Sequence, residues 1–252
     1  NVVGRKEQDD TSNKWFIGKP IGEIWDYKVT GIWQTDEVEE AAKVGQKPGD
    51  PKVENYYTAD DKINADGSRT PVYNDNDKQF LGTTNAPVRW SLRNEFTILK
   101  NIDFSFNLYS YMGHKSLEGY YLNNDNGGSL MTYGFNTFKK DYWTPENQNA
   151  SSPRLIWTDP NRNARSESDR YLESGSYFRL RNLQVGYTLP TVWFHGFVQK
   201  ARVYVNAENL FTISSYSGYT PDVNSSDVYS RGFDEFIYPS NRTFMFGLNV
   251  TF

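Results

Sequence analysis

Cysteine is absent from this chain of 252 residues, which excludes a disulfide framework and all thiolate chemistry. No run approaches the ~20 consecutive apolar residues of a membrane-spanning helix, so helical transmembrane architecture is excluded as well. Histidine occurs twice, and His114 and His195 lack metal-ligand spacing, so both are expected in solvent. A nucleophile–base constellation, a Gly-rich phosphate loop and paired carboxylates are missing too. Neither enzymatic chemistry nor a cofactor or metal is therefore expected. A net charge of −4 argues against a nucleic-acid surface. The amino end, Asn1 to Asp10, has neither the charged start nor the apolar centre of a secretory signal. The chain is expected to be the carboxy-terminal piece of a longer polypeptide, or a mature fragment.

Aromatic residues and alternation are what the chain has in quantity. Tyr, Phe and Trp make up 16% of it, which suits the aromatic girdles of a membrane barrel. In Thr243 to Phe252, residues Phe244, Phe246, Leu248, Val250 and Phe252 fall on one face of a strand, and Thr243, Met245, Gly247, Asn249 and Thr251 on the other. Val88 to Leu99 sets Val88, Trp90, Leu92, Phe96 and Ile98 against Arg89, Ser91, Arg93, Glu95 and Thr97. Ile102, Phe104, Phe106 and Leu108 oppose Asp103, Ser105, Asn107 and Tyr109. Leu183, Val185 and Tyr187 oppose Asn182, Gln184 and Gly186, and Val203, Val205 and Ala207 oppose Tyr204, Asn206 and Glu208. Ile24 to Trp33 is a weaker sixth strand. Strands with lipid on one side and a wet lumen on the other alternate in this way, and their mean hydropathy stays low (−0.75 here) because polar loops join them.

The connections alternate between short and long. Leu99–Asn101 and Pro190–Lys200 are short, whereas Asp36–Asn85, Gly113–Ser176 and Ser214–Arg242 are long. Outer-membrane barrels place short turns at the periplasmic end and long loops outside. The fold class expected is all-β, an antiparallel transmembrane β-barrel segment with long extracellular loops. Six readable strands are fewer than the ~8 of the smallest bacterial barrels, so the segment belongs to a larger barrel. Two other readings fit the same alternation: a soluble all-β surface binding module packed as a sandwich, and a passive porin. Within the loops, Met131, Phe135, Phe138 and Tyr142 stand at helical spacing in a segment, Ser129 to Tyr142, that is expected to form a short amphipathic helix. The stretch Asp60 to Gly67 resembles a degenerate calcium loop. Lys62 and Tyr73 would occupy its first and last ligand positions and suit no cation, so it reads as a surface turn.

The run Tyr171 to Pro190 (YLESGSYFRLRNLQVGYTLP) resembles a hallmark of SusC/RagA-type TonB-dependent transporters. Arg202 to Thr212 (RVYVNAENLFT), Tyr216 to Asp222 (YSGYTPD) and the ending Arg242 to Phe252 are similar to further family segments. Gly31-Ile-Trp-Gln34, Pro48-Gly-Asp50, Leu81-Gly82 and Tyr142-Trp-Thr-Pro-Glu-Asn147 follow in family order. The resemblance implies a barrel of roughly 22 strands with an amino-terminal plug, in the outer membrane of a Bacteroidetes-like Gram-negative cell. Residues 1–252 would supply about six to eight of its strands, with the plug and earlier strands absent. It further implies TonB-driven import of a glycan or peptide, with a SusD-like surface lipoprotein, the TonB complex and outer-membrane lipid as partners.

Four sets of residues are candidates for function. Arg89, Arg93 and Glu95 are expected to face the lumen, where internal charge pairing is the favoured role. Arg179 and Arg181, near the outer rim, are expected in local ion pairs. The loop aromatics Tyr120, Tyr121, Trp143 and Trp157 offer flat apolar planes for a solute, although packing between loops explains them more simply. Gly247, Val250 and Phe252 resemble the terminal signal read by the barrel-assembly machinery, a recognition that works by strand addition.

Overall fold

The computed structural model describes residues 8–118, 141–155, 168–223, 232–234 and 237–252. In chain order its strands are β1 (Glu23–Asp26), β2 (Val29–Ile32), β3 (Pro51–Val53), β4 (Lys62–Ile63), β5 (Arg69–Thr70), β6 (Gln79–Thr83), β7 (Val88–Ile98), β8 (Ile102–Met112), β9 (Lys115–Glu118), β10 (Leu172–Ser174), β11 (Tyr177–Thr188), β12 (Lys200–Ser214), β13 (Phe233–Asp234) and β14 (Thr243–Thr251). Among the described residues one short α-helix, α1 (Val38–Lys43), interrupts them. The chain divides into two compact units, one built on residues 1–84, 117–172 and 225–236, the other on residues 85–116, 173–224 and 237–252.

The second unit is an antiparallel sheet of five strands in the order β14-β12-β11-β8-β7. Its strands run from 9 residues in β14 to 15 in β12, and ~9–11 residues suffice to cross a bilayer. The turn Leu99-Lys100 joins β7 to β8 with both residues at positive φ, which lets the chain reverse tightly. Register places like with like across the sheet. Phe246, Val205, Val185, Phe104 and Phe96 form one cross-strand row, and Leu248, Val203, Tyr187, Ile102 and Ile98 the next. These rings and branched chains share one face and stay open to the surroundings: Phe246 is 80% exposed and Leu248 62%. A sandwich would bury them, so the soluble two-sheet reading finds no support among the described residues. The short-turn end adds Leu99, Val192, Trp193 and Phe197, all exposed.

Alternation in β11 is out of phase with itself, since Phe178 and Leu180 precede Leu183 and Val185. A bulge between Leu180 and Asn182 restores the register against both neighbours. On the β12 side, Asn209 adopts a left-handed φ of 51°. The bulge keeps every apolar residue on one face and sets Arg181 and Asn182 side by side on the other.

The first unit corrects one expectation. Ile24 to Trp33 does not form a wall strand; it splits into β1 and β2, which pair with β6 and β3 respectively. Asp26 and Tyr27 at the break are buried, and Lys14 Nζ lies 2.7 Å from the Asp26 carboxylate. The aromatics that suggested a lipid face are consumed locally. Trp25 and Phe80 both pack edge-on against the buried Phe16, with ring centroids 5.2 and 4.9 Å away. Trp33 is buried beneath the Lys52 ammonium, 4.3 Å from its ring, and its indole N–H donates to Gln46. Asp36 to Asn85, expected as a loop, therefore carries its own small core. Asp60 to Gly67 does form a surface turn: Gly67, at φ 82°, closes the β4–β5 hairpin by donating to the Asn64 carbonyl. Of the expected amphipathic helix, positions 129–140 lie outside the described residues.

This small core has a pH signature. Hydrogen bonds from the Lys52 ammonium (2.5 Å) and the Gln34 backbone N–H (3.0 Å) hold the Glu37 carboxyl below its ordinary value of 4.5. A lowered folded-state pKa contributes stability above the unfolded value and loses it as pH falls through the folded value. Amide protection over residues 35–43 should therefore fall as pH is lowered below the unfolded value of 4.5. Glu37→Gln should flatten that drop, and an undiminished drop in the variant would assign it to other carboxylates.

Candidate functional site

The polar face of the five-stranded sheet carries two constructions. Toward the short turns, Arg202 of β12 reaches across β11 to Asp103 of β8 with two guanidinium nitrogens, its Nε lying 2.8 Å from Oδ1. The strand between them contributes Gly186 at that point, and a Cβ there would collide with both partners. The Arg202 guanidinium also lies 4.8 Å from the centre of the Tyr204 ring. Tyr204 in turn covers Gly247 of β14, where a Cβ would run into the ring. A single chain of contacts thus ties β8, β11, β12 and β14 together.

Toward the long loops, the same face hollows into a concavity of about 760 Å³. Three tyrosines form its floor: Tyr109, Tyr111 and Tyr177, with ring centroids 5.5 to 5.9 Å apart. Arg179 is 4% exposed and fully engaged. It donates to Thr212 Oγ1 (2.9 Å), the Tyr109 hydroxyl (3.1 Å), Asp222 Oδ2 (3.2 Å) and Thr220 Oγ1 (3.4 Å). Asp222 and Thr220 come from the segment after β12, so this arginine fastens that segment onto the wall. His114, expected in solvent, is half-buried in the segment after β8. Burial and the nearby Arg89 charge push its pKa down, while Asp222 opposes them.

The other candidate residues divide. Arg89 lies on the polar face with its guanidinium over the Tyr111 ring, 5.2 Å from the centroid. Arg93 and Glu95 pair with each other at 2.5 Å on β7, both largely exposed, a geometry that contributes little stability. The expected pairing of Arg179 is present through Asp222, whereas Arg181 stands on the bulge and is exposed. Trp143 offers no open plane: it is 6% exposed, and its indole N–H donates to Gln34 at 3.0 Å. It packs against the Pro48-Gly49-Asp50 turn, where a Cβ on Gly49 would strike the indole. Packing has taken up the face that stacking would use. Tyr120, Tyr121 and Trp157 lie outside the described residues. Val250 lies on the apolar face, paired with Ala201, and Phe252 is 75% exposed. Sequence reasoning missed the Asp103–Arg202 pair and the tyrosine floor. The signal was there: these are polar or aromatic residues at wall-strand positions that alternate away from the apolar face.

No family model matches the chain. TonB-dependent receptor P3 of Formosa agariphila is 28% identical over 242 residues, covering 93% of this chain and 22% of the relative. TonB-dependent receptor P26 of the same organism is 26% identical over 259 residues, 96% of this chain and 24% of its own length. TonB-dependent receptor SusC of Bacteroides thetaiotaomicron is 26% identical over 157 residues, 61% of this chain. Among solved structures, the RagAB peptide importer in its closed-closed state superposes with a TM-score of 0.64 at 22% identity, over 94% of this chain and 24% of that one. Its open-open state gives 0.65 at 21% identity. The chain spans about a quarter of the length of the relatives it matches. The resemblance to SusC/RagA-type TonB-dependent transporters therefore extends over most of the sequence, and the fold is that of part of such a protein.

Proposed function

We propose that residues 1–252 form the carboxy-terminal wall and loops of an outer-membrane, TonB-dependent importer of a large nutrient. The observation that carries this reading is the five-stranded sheet itself. One face is continuous, apolar and exposed, and the other is polar and internally bonded, as lipid on one side and a wet lumen on the other require. The exposed Leu99, Val192, Trp193 and Phe197 at the short-turn end fit the periplasmic interface, where amphipathic rings settle. The sheet's two edges, β7 and β14, need further strands to pair with in lipid. The sequence relatives, named TonB-dependent receptors, support energy transfer through TonB by parts outside this chain. The likeness to SusC and to RagAB supports a SusD-like lipoprotein partner, and RagAB, a peptide importer, favours peptide over glycan as the solute. Deleting the encoding gene should abolish uptake of the solute, and the full-length gene carrying residues 1–252 should restore it. Restoration by a gene lacking residues 85–252 would refute the assignment.

Gly247, Val250 and Phe252 serve in this reading as the assembly signal, with Phe252 in the periplasmic girdle. Phe252→Ser in the full-length protein should cut assembled barrel sharply while leaving transport per assembled molecule nearly unchanged. Phe244→Ser removes a similar ring from the other end of β14. Equal losses of assembly in the two variants would deny Phe252 a recognition role.

A further inference from the structure

The concavity above the tyrosine floor holds more polar capacity than the wall uses. The bulge in β11 adds Arg181 to a face that already has Arg89 and Arg179, and all three line the hollow. Arg179 is occupied by Asp222 and its other partners. Arg89 rests on a tyrosine ring, and neither it nor Arg181 has a carboxylate partner among the described residues. Tyr177 is the second, independent observation. It is 4% exposed and lines the hollow, and its hydroxyl, close to that of Tyr109, makes no hydrogen bond of good geometry. A buried phenol left unpaired is costly unless something else completes it. The rest of the lining complements a polyamide: Asn107, Asn182 and Asn209 offer donors and acceptors, and Glu208 offers one anion.

We propose that this hollow is a binding subsite for an acidic peptide, with Arg89 and Arg181 holding a side-chain or terminal carboxylate and the Tyr177 hydroxyl completing its hydrogen bonds. Guanidinium groups match carboxylates in two-point geometry, and the tyrosine floor supplies a flat, partly apolar bed. The carboxamides and Glu208 take the peptide's own donors. The site rests on the import reading above and adds to it the sign of the solute's charge.

The test uses the full-length protein carrying this chain, purified in detergent. The probes are a short acidic peptide, the same peptide with every carboxylate amidated, and a uronate oligosaccharide. Arg181→Gln and Arg89→Gln should each weaken the acidic peptide by about tenfold and flatten the salt dependence of its binding, leaving the amidated peptide unaffected. Tyr177→Phe should weaken the acidic peptide several-fold while leaving the melting midpoint of the empty protein unchanged or higher, because no bond is lost without the ligand. Unchanged affinity in both arginine variants overturns the proposal. So does a Tyr177→Phe protein that loses stability and keeps its affinity, which would return the hydroxyl to the packing. Tighter binding of the uronate than of the acidic peptide overturns the peptide assignment. Uptake by the unsubstituted protein is scored separately: its absence refutes the import reading, whereas normal uptake with unaffected variants refutes the subsite alone.

Discussion

Val185→Arg should reduce assembled barrel in the outer membrane by more than tenfold, whereas Gln184→Arg, its immediate neighbour, should assemble almost normally. Val185 sits mid-row on the apolar face, between Phe104 on β8 and Val205 on β12. If that row faces the bilayer midplane, a guanidinium there costs about 2–4 kcal/mol, which is more than a factor of ten in any equilibrium that reads it. Gln184 projects from the opposite face, between Ser105 and Asn206, where water or polar partners receive a charge. The measurement is the heat-modifiable, folded band in outer-membrane fractions of the full-length protein. Equal assembly of both variants would remove the lipid face, because side-chain direction along a strand has period two and a shared outcome cannot arise from it.

Gly247→Ala should be destabilising by about 1–3 kcal/mol, since a Cβ at that point must displace the Tyr204 ring. Tyr204→Ala should also be destabilising, because it removes the ring that rests against the Arg202 guanidinium. The double variant should cost little more than Tyr204→Ala alone, giving a coupling of about 0.5–3 kcal/mol between the two sites. This cycle separates two explanations of one glycine. If Gly247 is present to admit the ring, removing the ring rescues alanine. If it is present to be read by the assembly machinery, Tyr204→Ala rescues nothing. Urea unfolding of the assembled protein in detergent, with assembly yield measured alongside, distinguishes them.

Wall strands were legible in the sequence because their physics is local. A residue's face follows from its parity, and β7, β8, β12 and β14 keep parity over the spans that alternation marks out. β11 was legible in halves. The change of phase between Leu180 and Leu183 was visible, but whether a strand ended or bulged there depends on pairing with β8 and β12, which no single segment encodes. Ile24 to Trp33 misled for the complementary reason. Its alternation is real, but it serves an aromatic cluster around Phe16 instead of lipid, and an apolar face looks the same in sequence whichever environment receives it. What sets it apart from a wall strand is its pairing, β1 with β6 and β2 with β3, around the buried Asp26 and Tyr27. Among site residues, Arg179 was noticed as a charge, but its partners Tyr109, Thr212, Thr220 and Asp222 come from positions 33 to 70 residues away. Such convergence belongs to the register, and register is set by the whole sheet. The same holds for Asp103 and Arg202, 99 residues apart in sequence and joined only because Gly186 lets them meet over the strand between.

Residues 1–252 hold no cysteine, so the sheet itself carries no native thiol, and any thiol elsewhere in the full-length protein is first replaced by serine. Single cysteines placed in turn at Asn182, Leu183, Gln184, Val185 and Tyr187 of the full-length protein, and spin-labelled in lipid vesicles, report whether each site meets oxygen dissolved in the bilayer or a nickel chelate dissolved in water. Strict alternation is expected along β11: Leu183, Val185 and Tyr187 accessible to oxygen and shielded from the chelate, Asn182 and Gln184 the reverse or shielded from both. Labels at the three apolar sites shielded from oxygen and chelate alike would place that face in a protein core and contradict the membrane wall.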